Sequence, residues 1–238
     1  MPIESIHRSS DSPYVSRVWR GLATGPDAMT SVATSTWELV FWDDRDGVHA
    51  AVRGPEAGPT EVAIAEDSET FGITFAHGAV MPLLSPSQLV DAHRESPRTT
   101  ARTFRLGGED WEIPAIDDAE LLVQRLVRAG LLQRDPLVED VVCGGVARVG
   151  ARSVQRRVLS ATGLTHGTIR QVERAREAAL LLMDGLPAAQ VAHLAGYYDQ
   201  PHLARSLRRF IGRSATQLQS QGGHAMSLLY KTEHSAGS

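Results

Sequence analysis

An internal repeat constrains the fold of this 238-residue chain more than any other feature of its sequence. Residues 154–163, VQRRVLSATG, align with residues 203–212, LARSLRRFIG, at a constant offset of 49 positions. The offset places Arg156 on Arg205, and each segment ends in a glycine, which is typical of a helix stop. The repeat therefore predicts two similar helical units in the C-terminal third of the chain.

The spacing of apolar residues predicts one long helix between the two units. Over residues 165–183 the apolar side chains recur at helical intervals, and Gly185 follows as a stop. A helix of this length extends about 28 Å at 1.5 Å per residue. Shorter helices are expected over residues 135–144, 150–162, 187–194 and 200–211, with Asp135 and Asp199 as N-caps, and again after Ser214. The implied architecture is two tri-helical units joined by a linker helix.

The N-terminal part of the chain has the pattern of β-strands. Short apolar runs such as WELVFW (37–42) and FGITF (71–75) alternate with turn sequences rich in Gly, Pro and Asp. The WELVFW run does not alternate in polarity, so we expect a strand buried on both faces. Residues 85–91 predict one or two helical turns, and residues 104–111 predict a hairpin.

Residues 114–134 predict a connecting helix, with Asp117 as its cap and Glu120 three residues on. Together these patterns predict an α+β protein with a small β-rich domain followed by an all-α domain. The expected boundaries are 1–113 for the β-rich sensor or dimerisation domain, 114–134 for the connecting helix, 135–219 for the helical domain and 220–238 for a polar tail.

Charge separates the two parts of the chain. Residues 1–147 carry 12 arginines and 23 acidic residues, whereas residues 148–238 carry 11 arginines, one lysine and 5 acidic residues. The net charge of −4 therefore combines −11 with +7. A basic C-terminal part can neutralise phosphates, while an acidic N-terminal part is repelled by a nucleic-acid duplex.

Several classes of protein are disfavoured by the same sequence. The lone Cys143 cannot form an intramolecular disulfide, and we expect it to be a small buried core residue. The N-terminus lacks a secretion pattern, and no apolar run approaches the roughly 20 residues that span a bilayer, so we expect a cytoplasmic protein. His49, His77 and His93 lack metal-ligand spacing. Neither metal, cofactor nor enzymatic activity is expected.

Residues 174–218 resemble the DNA-binding region of the AraC-type (arabinose-regulator-like) bacterial transcription regulators. The shared features are an Arg-Ala linker helix, the turn GYYD (196–199) and a helix centred on Arg205 and closed by Gly212. The form GYYDQPHL and the segments RGPE (53–56), FGITFAHGA and WELVF resemble a subgroup with a short N-terminal domain.

The resemblance implies sequence-specific binding to double-stranded DNA in adjacent major-groove segments. In a helix-turn-helix the second helix enters the major groove. The side chains expected to read bases are Arg152, Ser153, Gln155 and Arg156 in the first unit and Gln200, His202 and Arg205 in the second. Those expected to contact phosphates are Arg157, Arg208, Arg209 and Arg213. His202 could equally cap or pack within its helix, and Tyr197 and Tyr198 are expected to pack the turn.

Some positions depart from the family pattern. The first unit has Gly144, Gly145 and Gly150 where helix formers and a Ser or Thr cap are usual, and Ala215 replaces a proline. Pro201 occupies a position that often contacts bases and offers only an apolar surface. The second unit is therefore the better-defined DNA-binding unit.

The resemblance also implies RNA polymerase as a partner, a possible homodimer and a possible small-molecule effector in the N-terminal domain. The aromatic residues of that domain could line a cavity or form its core. An alternative function is a protein-interaction regulator, which binds polymerase or another regulator and keeps a degenerate DNA-binding unit. The sequence leaves open the operator, the target genes, the effector and the choice between activation and repression.

Overall fold

The computed structural model describes residues 4–23, 27–64, 68–146 and 149–221. A β-rich N-terminal region precedes a helical C-terminal region, which confirms the predicted α+β class. The strands are β1 (Glu4–Ser9), β2 (Val15–Leu22), β3 (Asp27–Ser31), β4 (Glu38–Asp44), β5 (Gly47–Arg53), β6 (Thr60–Ile64), β7 (Glu69–Phe75), β8 (Ala79–Val80), β9 (His93–Glu95), β10 (Thr103–Leu106), β11 (Glu109–Glu112) and β12 (Gln133–Arg134). The helices are α1 (Pro86–Leu89), α2 (Ala119–Arg128), α3 (Pro136–Val142), α4 (Ala151–Thr162), α5 (His166–Met183), α6 (Ala188–Leu194), α7 (Gln200–Phe210) and α8 (Ala215–Gln221).

A six-stranded antiparallel sheet forms the centre of the N-terminal region, in the order β1-β2-β7-β4-β5-β9. Strand β4 lies between β7 and β5, and its consecutive residues Leu39, Val40 and Phe41 are all buried. Both faces of this strand are therefore covered, as the unbroken apolar run predicted.

The β10–β11 hairpin covers part of the sheet. Phe104 of β10 meets Phe41 edge-on, with ring centroids 5.1 Å apart. Gly107 and Gly108 both have positive φ angles, +64° and +89°. A two-residue hairpin turn of this kind needs left-handed backbone at both positions, and glycine adopts it without a steric penalty. The predicted hairpin is confirmed.

Helix α2 packs into the N-terminal core through Leu122, Val123 and Leu126. The Arg8 guanidinium binds both oxygens of Glu120 at 2.6 and 2.7 Å and holds the pKa of that carboxyl at about 2. The prediction that Asp117 caps this helix was wrong. A 3-10 turn over Ile116–Asp118 moves the start of α2 forward by one residue, and the side chain of Asp118 accepts no capping hydrogen bond.

The helical region consists of two units that share α5. Helices α3 and α4 pack with Ile169 at the start of α5, whereas α6 and α7 pack with the later residues Val172 to Leu182. Thr165 caps α5 by accepting a hydrogen bond from the Thr168 amide at 3.1 Å. The 18 residues of α5 extend about 27 Å. The predicted linker helix is confirmed.

Side-chain caps begin helices α3 and α7, whereas α4 has none. Asp135 caps α3 by accepting from the Leu137 amide at 3.1 Å, and Asp199 caps α7 by accepting from the His202 amide at 2.7 Å. Both predicted caps are confirmed. Helix α4 begins at Gly150, which has no side chain to satisfy the free amides of the first turn.

The N-terminal region also contacts the helical region directly. Strands β3 and β6 form a ribbon separate from the main sheet. After β3 the chain buries Val32 and Ala33 in the core of the second unit, and Trp37 contacts the first unit. The boundaries expected at residues 113 and 134 stay predictions, although α2 packs with the sheet.

In the part of the chain that the structure describes, no helix combines the length and the apolar character that a bilayer crossing requires.

Candidate nucleic-acid interface

The second helical unit has a short and well-supported turn. Helix α6 ends at Leu194, and five residues separate it from α7. Within the turn Gly196 has a φ of +68°, Tyr197 is buried, and the Tyr197 hydroxyl lies 2.9 Å from the Ser206 hydroxyl. Tyr198 is 93% exposed, so the expectation that both tyrosines pack the turn was right for Tyr197 only.

Helix α7 exposes the polar face predicted for DNA recognition. Leu203, Leu207 and Phe210 are buried on one side, which turns Arg205 outward. Gln200, Arg205 and Arg208 are exposed, and no side-chain hydrogen bond or ion pair joins these three to any residue that the structure describes. Their donors are therefore available to an external partner.

His202 is more constrained than Arg205. Its ring Nδ1 accepts a hydrogen bond from the Tyr198 amide at 3.5 Å, and the ring meets Tyr197 edge-on at 5.1 Å. The side chain is half-buried. Because Nδ1 is an acceptor here, Nε2 carries the proton in the neutral ring and could only donate to a base. Base contact by His202 stays a prediction.

Arg174 on α5 supports the same turn, and the sequence analysis assigned it no role. Its guanidinium carbon lies 4.5 Å from the centre of the Tyr197 ring, and it donates to the Gly196 carbonyl at 3.5 Å. Arg174 belongs to the Arg-Ala part of the family pattern, and that pattern is the sequence signal from which its role could have been predicted. The cation–π contact ties the linker helix to the turn of the second unit.

Helix α4 of the first unit exposes a similar face. Val154, Val158 and Ala161 are buried, and the opposite face carries the predicted residues. Arg152, Gln155 and Arg156 are exposed, and Ser153 is half-buried. Neither Arg152 nor Arg156 forms an ion pair within the described ranges.

The connection before α4 is longer than its counterpart, and its described residues, 143–146, 149 and 150, are all exposed. Helix α3 ends at Val142, and eight residues separate it from α4. Cys143 is exposed, so its prediction as a buried core residue was wrong. The reason is that Gly144, with a φ of +89°, turns the chain away directly after it.

The predicted phosphate contacts fall into two groups. Arg208 and Arg209 are exposed, and the Arg209 guanidinium lies 4.8 Å from the centre of the Phe210 ring. Arg157 instead binds both carboxylate oxygens of Asp135, at 2.6 and 2.7 Å. Arg213 donates to the Thr30 hydroxyl at 3.3 Å and so faces the N-terminal region. In this conformation Arg157 and Arg213 are occupied by the protein itself.

The two exposed faces are equivalent under the repeat. Arg156 and Arg205 lie 49 positions apart, each on the solvent side of the second helix of its helix-turn-helix, α4 or α7. An unpaired guanidinium on such a helix presents a planar fork of donors, which matches the paired acceptors of a guanine edge or of a phosphate.

Comparisons with known proteins agree with this arrangement. Residues 145–221 match the protein family described as "Helix-turn-helix domain". A stretch of 103 residues is 42% identical to the HTH-type transcriptional regulator VirS of Mycobacterium tuberculosis strain H37Rv, and VirS of strain CDC 1551 matches equally well. The match covers 43% of this chain and only 28% of VirS.

This chain carries an AraC-type helix-turn-helix domain. The resemblance stated from residues 174–218 is thereby confirmed. Among solved structures, ToxT from Vibrio cholerae aligns with 92% of the chain at 7% identity and a TM-score of 0.43. ToxT from strain O395 bound to (E)-4-(8-methylnaphthalen-1-yl)but-3-enoic acid aligns at 9% identity and a TM-score of 0.41. Each alignment covers 98% of ToxT.

A cavity of about 290 Å³ opens in the region that precedes the AraC-type domain. It lies between β5, β9 and the β10–β11 hairpin, and its walls are mainly apolar. Its floor includes Leu39, Val52 and Phe104, and Arg94 and Glu95 lie at its rim. The tryptophans do not line it, and the buried Trp37, Phe71 and Phe75 belong to the core.

A polar cluster lies where the N-terminal region meets α5 of the AraC-type domain. The Ser35 hydroxyl donates to Glu173, and the His77 Nε2 lies 2.7 Å from the same hydroxyl. Because the single Ser35 proton is directed to Glu173, His77 is the donor in the second bond. Burial lowers the pKa of His77, while the Glu173 carboxylate acts in the opposite direction.

Proposed function

We propose that this protein is a sequence-specific DNA-binding transcription regulator that reads adjacent major-groove segments with α4 and α7. The observation that carries the proposal is the pair of exposed, unpaired arginines Arg156 and Arg205 at equivalent positions of the repeat. The match to helix-turn-helix domains over residues 145–221 supports it.

Base recognition is assigned by geometry and chemistry. Arg152, Arg156 and Arg205 can each engage guanine O6 and N7 together, and Gln155 and Gln200 can engage adenine N6 and N7. A bidentate contact of this kind discriminates by roughly 1 to 3 kcal/mol. Ser153 and His202 lie beside these residues on the same helices and could supply single hydrogen bonds.

The spacing of the two helices suits a duplex. A linker of about 27 Å is close to the roughly 34 Å rise of one turn of DNA, so one chain could place both helices in successive major-groove segments. Arg208 and Arg209 are the exposed residues best placed to contact phosphates. Arg157 and Arg213 could do so only after leaving Asp135 and Thr30.

We further propose that the apolar cavity in the N-terminal region holds a small-molecule effector. Its volume approaches the lower end of the range for ligand sites, roughly 300 Å³. A thermal-shift screen of the full chain against metabolites, repeated with Leu39→Trp to fill the cavity, tests this. Stabilisation by a compound that Leu39→Trp abolishes supports the site, and stabilisation retained by a folded variant contradicts it.

RNA polymerase and a second copy of this chain are proposed partners. The acidic N-terminal region is the surface that remains available to them when the basic region binds DNA. Analytical ultracentrifugation with and without operator DNA tests dimerisation, and a single-copy complex on DNA would exclude it.

The decisive experiment for the proposed function is genomic footprinting followed by titration of the recovered site. Binding to DNA should weaken steeply with salt, with a slope of roughly −0.9 in log K against log salt for each phosphate neutralised. A chain that binds no DNA but captures RNA polymerase or another regulator would instead be the alternative protein-interaction regulator. A footprint that Arg205→Ala erases would support base reading by the second unit.

A further inference from the structure

One short segment of the N-terminal region contacts the C-terminal ends of both recognition helices. The Ala33 amide donates to the Phe210 carbonyl at 2.9 Å, and the Trp37 indole Nε1 donates to the Ala161 carbonyl at 3.2 Å. Phe210 is the last residue of α7, and Ala161 lies in the last turn of α4. The last four carbonyls of a helix have no partner within the helix, so each bond satisfies a free acceptor.

The two capped carbonyls are equivalent under the internal repeat. Positions 161 and 210 are separated by 49 residues, the same offset that relates Arg156 to Arg205. The glycines that follow them, Gly163 and Gly212, also correspond and have φ angles of +73° and +78°. The N-terminal region therefore makes the same kind of contact twice, once on each unit.

Both glycines lie close to the N-terminal region. A β-carbon on Gly163 would lie 2.7 Å from the Pro86 carbonyl oxygen, and one on Gly212 would lie 3.1 Å from the Pro59 Cβ. The first distance is a clash and the second is tight. The helix ends are thus packed against the N-terminal region as well as hydrogen-bonded to it.

The segment is also attached to the linker helix between the two units. Arg176 of α5 donates to the Ala33 carbonyl at 2.9 Å, and the Ser35 hydroxyl donates to Glu173, one helical turn away. Ala33, Ser35 and Trp37 are 0%, 1% and 3% exposed. A buried segment with donors to α4 and α7 and two bonds to α5 has little freedom to move relative to any of them.

We propose that residues 33–37 are a positioning element for DNA recognition, which holds the two recognition helices at one fixed separation and orientation. The effect on DNA binding rests on the proposed function, whereas the contacts of residues 33–37 with α4, α5 and α7 do not depend on it. A chain that holds both helices in the binding arrangement loses less conformational freedom on binding. It should also accept only one spacing between the two half-segments of its site.

Two variants weaken the element by different routes. Trp37→Phe removes the indole donor to Ala161 and keeps an aromatic ring in the core, and Arg176→Met removes the donor to Ala33 and keeps the aliphatic stem. Arg170→Met is the matched control for the second, because Arg170 is exposed on the same helix. Circular dichroism melts establish whether each variant folds. If Trp37→Phe does not fold, Arg176→Met alone is used for the test.

The first measurement needs no DNA. Nitroxide labels on Ser160→Cys in α4 and Ala204→Cys in α7, in a Cys143→Ala background, report the distance between the helices by double electron–electron resonance. We expect one narrow distance distribution for the parent and for Arg170→Met, and a broadened one for Trp37→Phe and Arg176→Met. Narrow distributions in both folded variants would overturn the inference.

The second measurement uses the footprinted site and the same site with one base pair inserted between its halves. The insertion moves one half by about 3.4 Å and about 35° around the duplex. The parent and Arg170→Met should bind the inserted site about tenfold more weakly than the native site. In the two loosened variants this ratio should fall to about threefold, with native-site affinity reduced about fivefold.

The two measurements fail separately. A parent that shows a narrow distance distribution but binds no DNA contradicts the proposed function and leaves the positioning of the helices standing. A parent that binds DNA while the loosened variants keep their narrow distribution contradicts the positioning role alone. The positioning role is also overturned if the variants have broadened distance distributions but discriminate between the native and the inserted site as well as the parent does.

Discussion

The two helical units are alike where each recognition helix ends and unlike where it begins. Helix α7 follows a five-residue turn, begins at the Asp199 cap and is supported by Tyr197. Helix α4 follows eight residues that include the exposed Cys143, and it begins at a glycine without a cap. In a helix-turn-helix the beginning of the second helix approaches the bases. The structure therefore predicts a well-ordered second unit and a more adaptable first one.

The largest expected effect comes from removing the equivalent arginines one at a time. Arg205→Ala should weaken binding to the footprinted site by about thirtyfold, in the range of a lost bidentate base contact. Arg156→Ala should weaken it by about fivefold. The start of α4 has no cap, so part of the binding free energy of each contact is offset by the cost of ordering this helix. Titrations by fluorescence anisotropy measure both, and Arg209→Ala, which should weaken all sequences alike, is the control. Equal losses for the two arginines would remove the distinction between the units.

The second prediction concerns the cap of α7. Asp199→Ala should lower the free energy of unfolding by about 1 kcal/mol, because the amides of the first turn lose their acceptor. Asp199→Asn keeps an accepting oxygen while removing the charge, so it should stay within a few tenths of a kcal/mol of the parent. Urea unfolding followed by circular dichroism measures the difference. An equal loss in both variants would show that the charge, and not the cap, stabilises the helix.

The third prediction concerns the arginine that the first unit holds internally. Asp135→Asn keeps the cap of α3 but loses the ion pair with Arg157, which then becomes free to meet a phosphate. The slope of log K against log salt should become steeper by about 1. Glu139→Gln, which breaks the pair with Arg134 instead, is the control. A slope that does not change for Asp135→Asn would show that Arg157 stays away from DNA.

The smallest effect should come from giving α4 the cap that it lacks. Gly150 has a φ of −63° and open space around the position of a β-carbon, so Gly150→Ser is sterically free. We expect an increase of about 0.5 kcal/mol in the free energy of unfolding. Gly144→Ser, at a φ of +89°, should instead destabilise the protein. A loss at Gly150 would mean that the start of α4 needs glycine.

Local patterns in the sequence predicted most of the secondary structure. The caps at Asp135 and Asp199 were found because a capping side chain acts within three residues of its target. The buried strand β4 was predicted correctly, because an unbroken apolar run in a β-rich region indicates a strand that is buried on both faces. The start of α2 was missed by one position, since a 3-10 turn and an α-helix turn look alike in sequence.

Contacts between distant residues were beyond the reach of those patterns. Arg157 was predicted to contact a phosphate, but Asp135, 22 residues earlier, binds it. Cys143 was predicted to be buried, and Ala192, which lies 49 positions later, is buried, yet Cys143 is exposed because the chain turns away at the glycine that follows it. The double capping by residues 33–37 joins positions more than 120 residues apart, and no periodicity in the sequence records such a contact.

The indole of Trp37 is also an intrinsic fluorescent probe of the boundary between the N-terminal region and the helical region. All four tryptophans of the chain precede the helical units, and Trp37 places its ring N–H on a carbonyl of α4. Its emission should move to longer wavelength when water replaces that carbonyl. The difference between the fluorescence of the parent chain and of Trp37→Phe isolates this one residue. Separation of the first unit from the N-terminal region, by an effector or by an operator, can thus be followed in real time without a label.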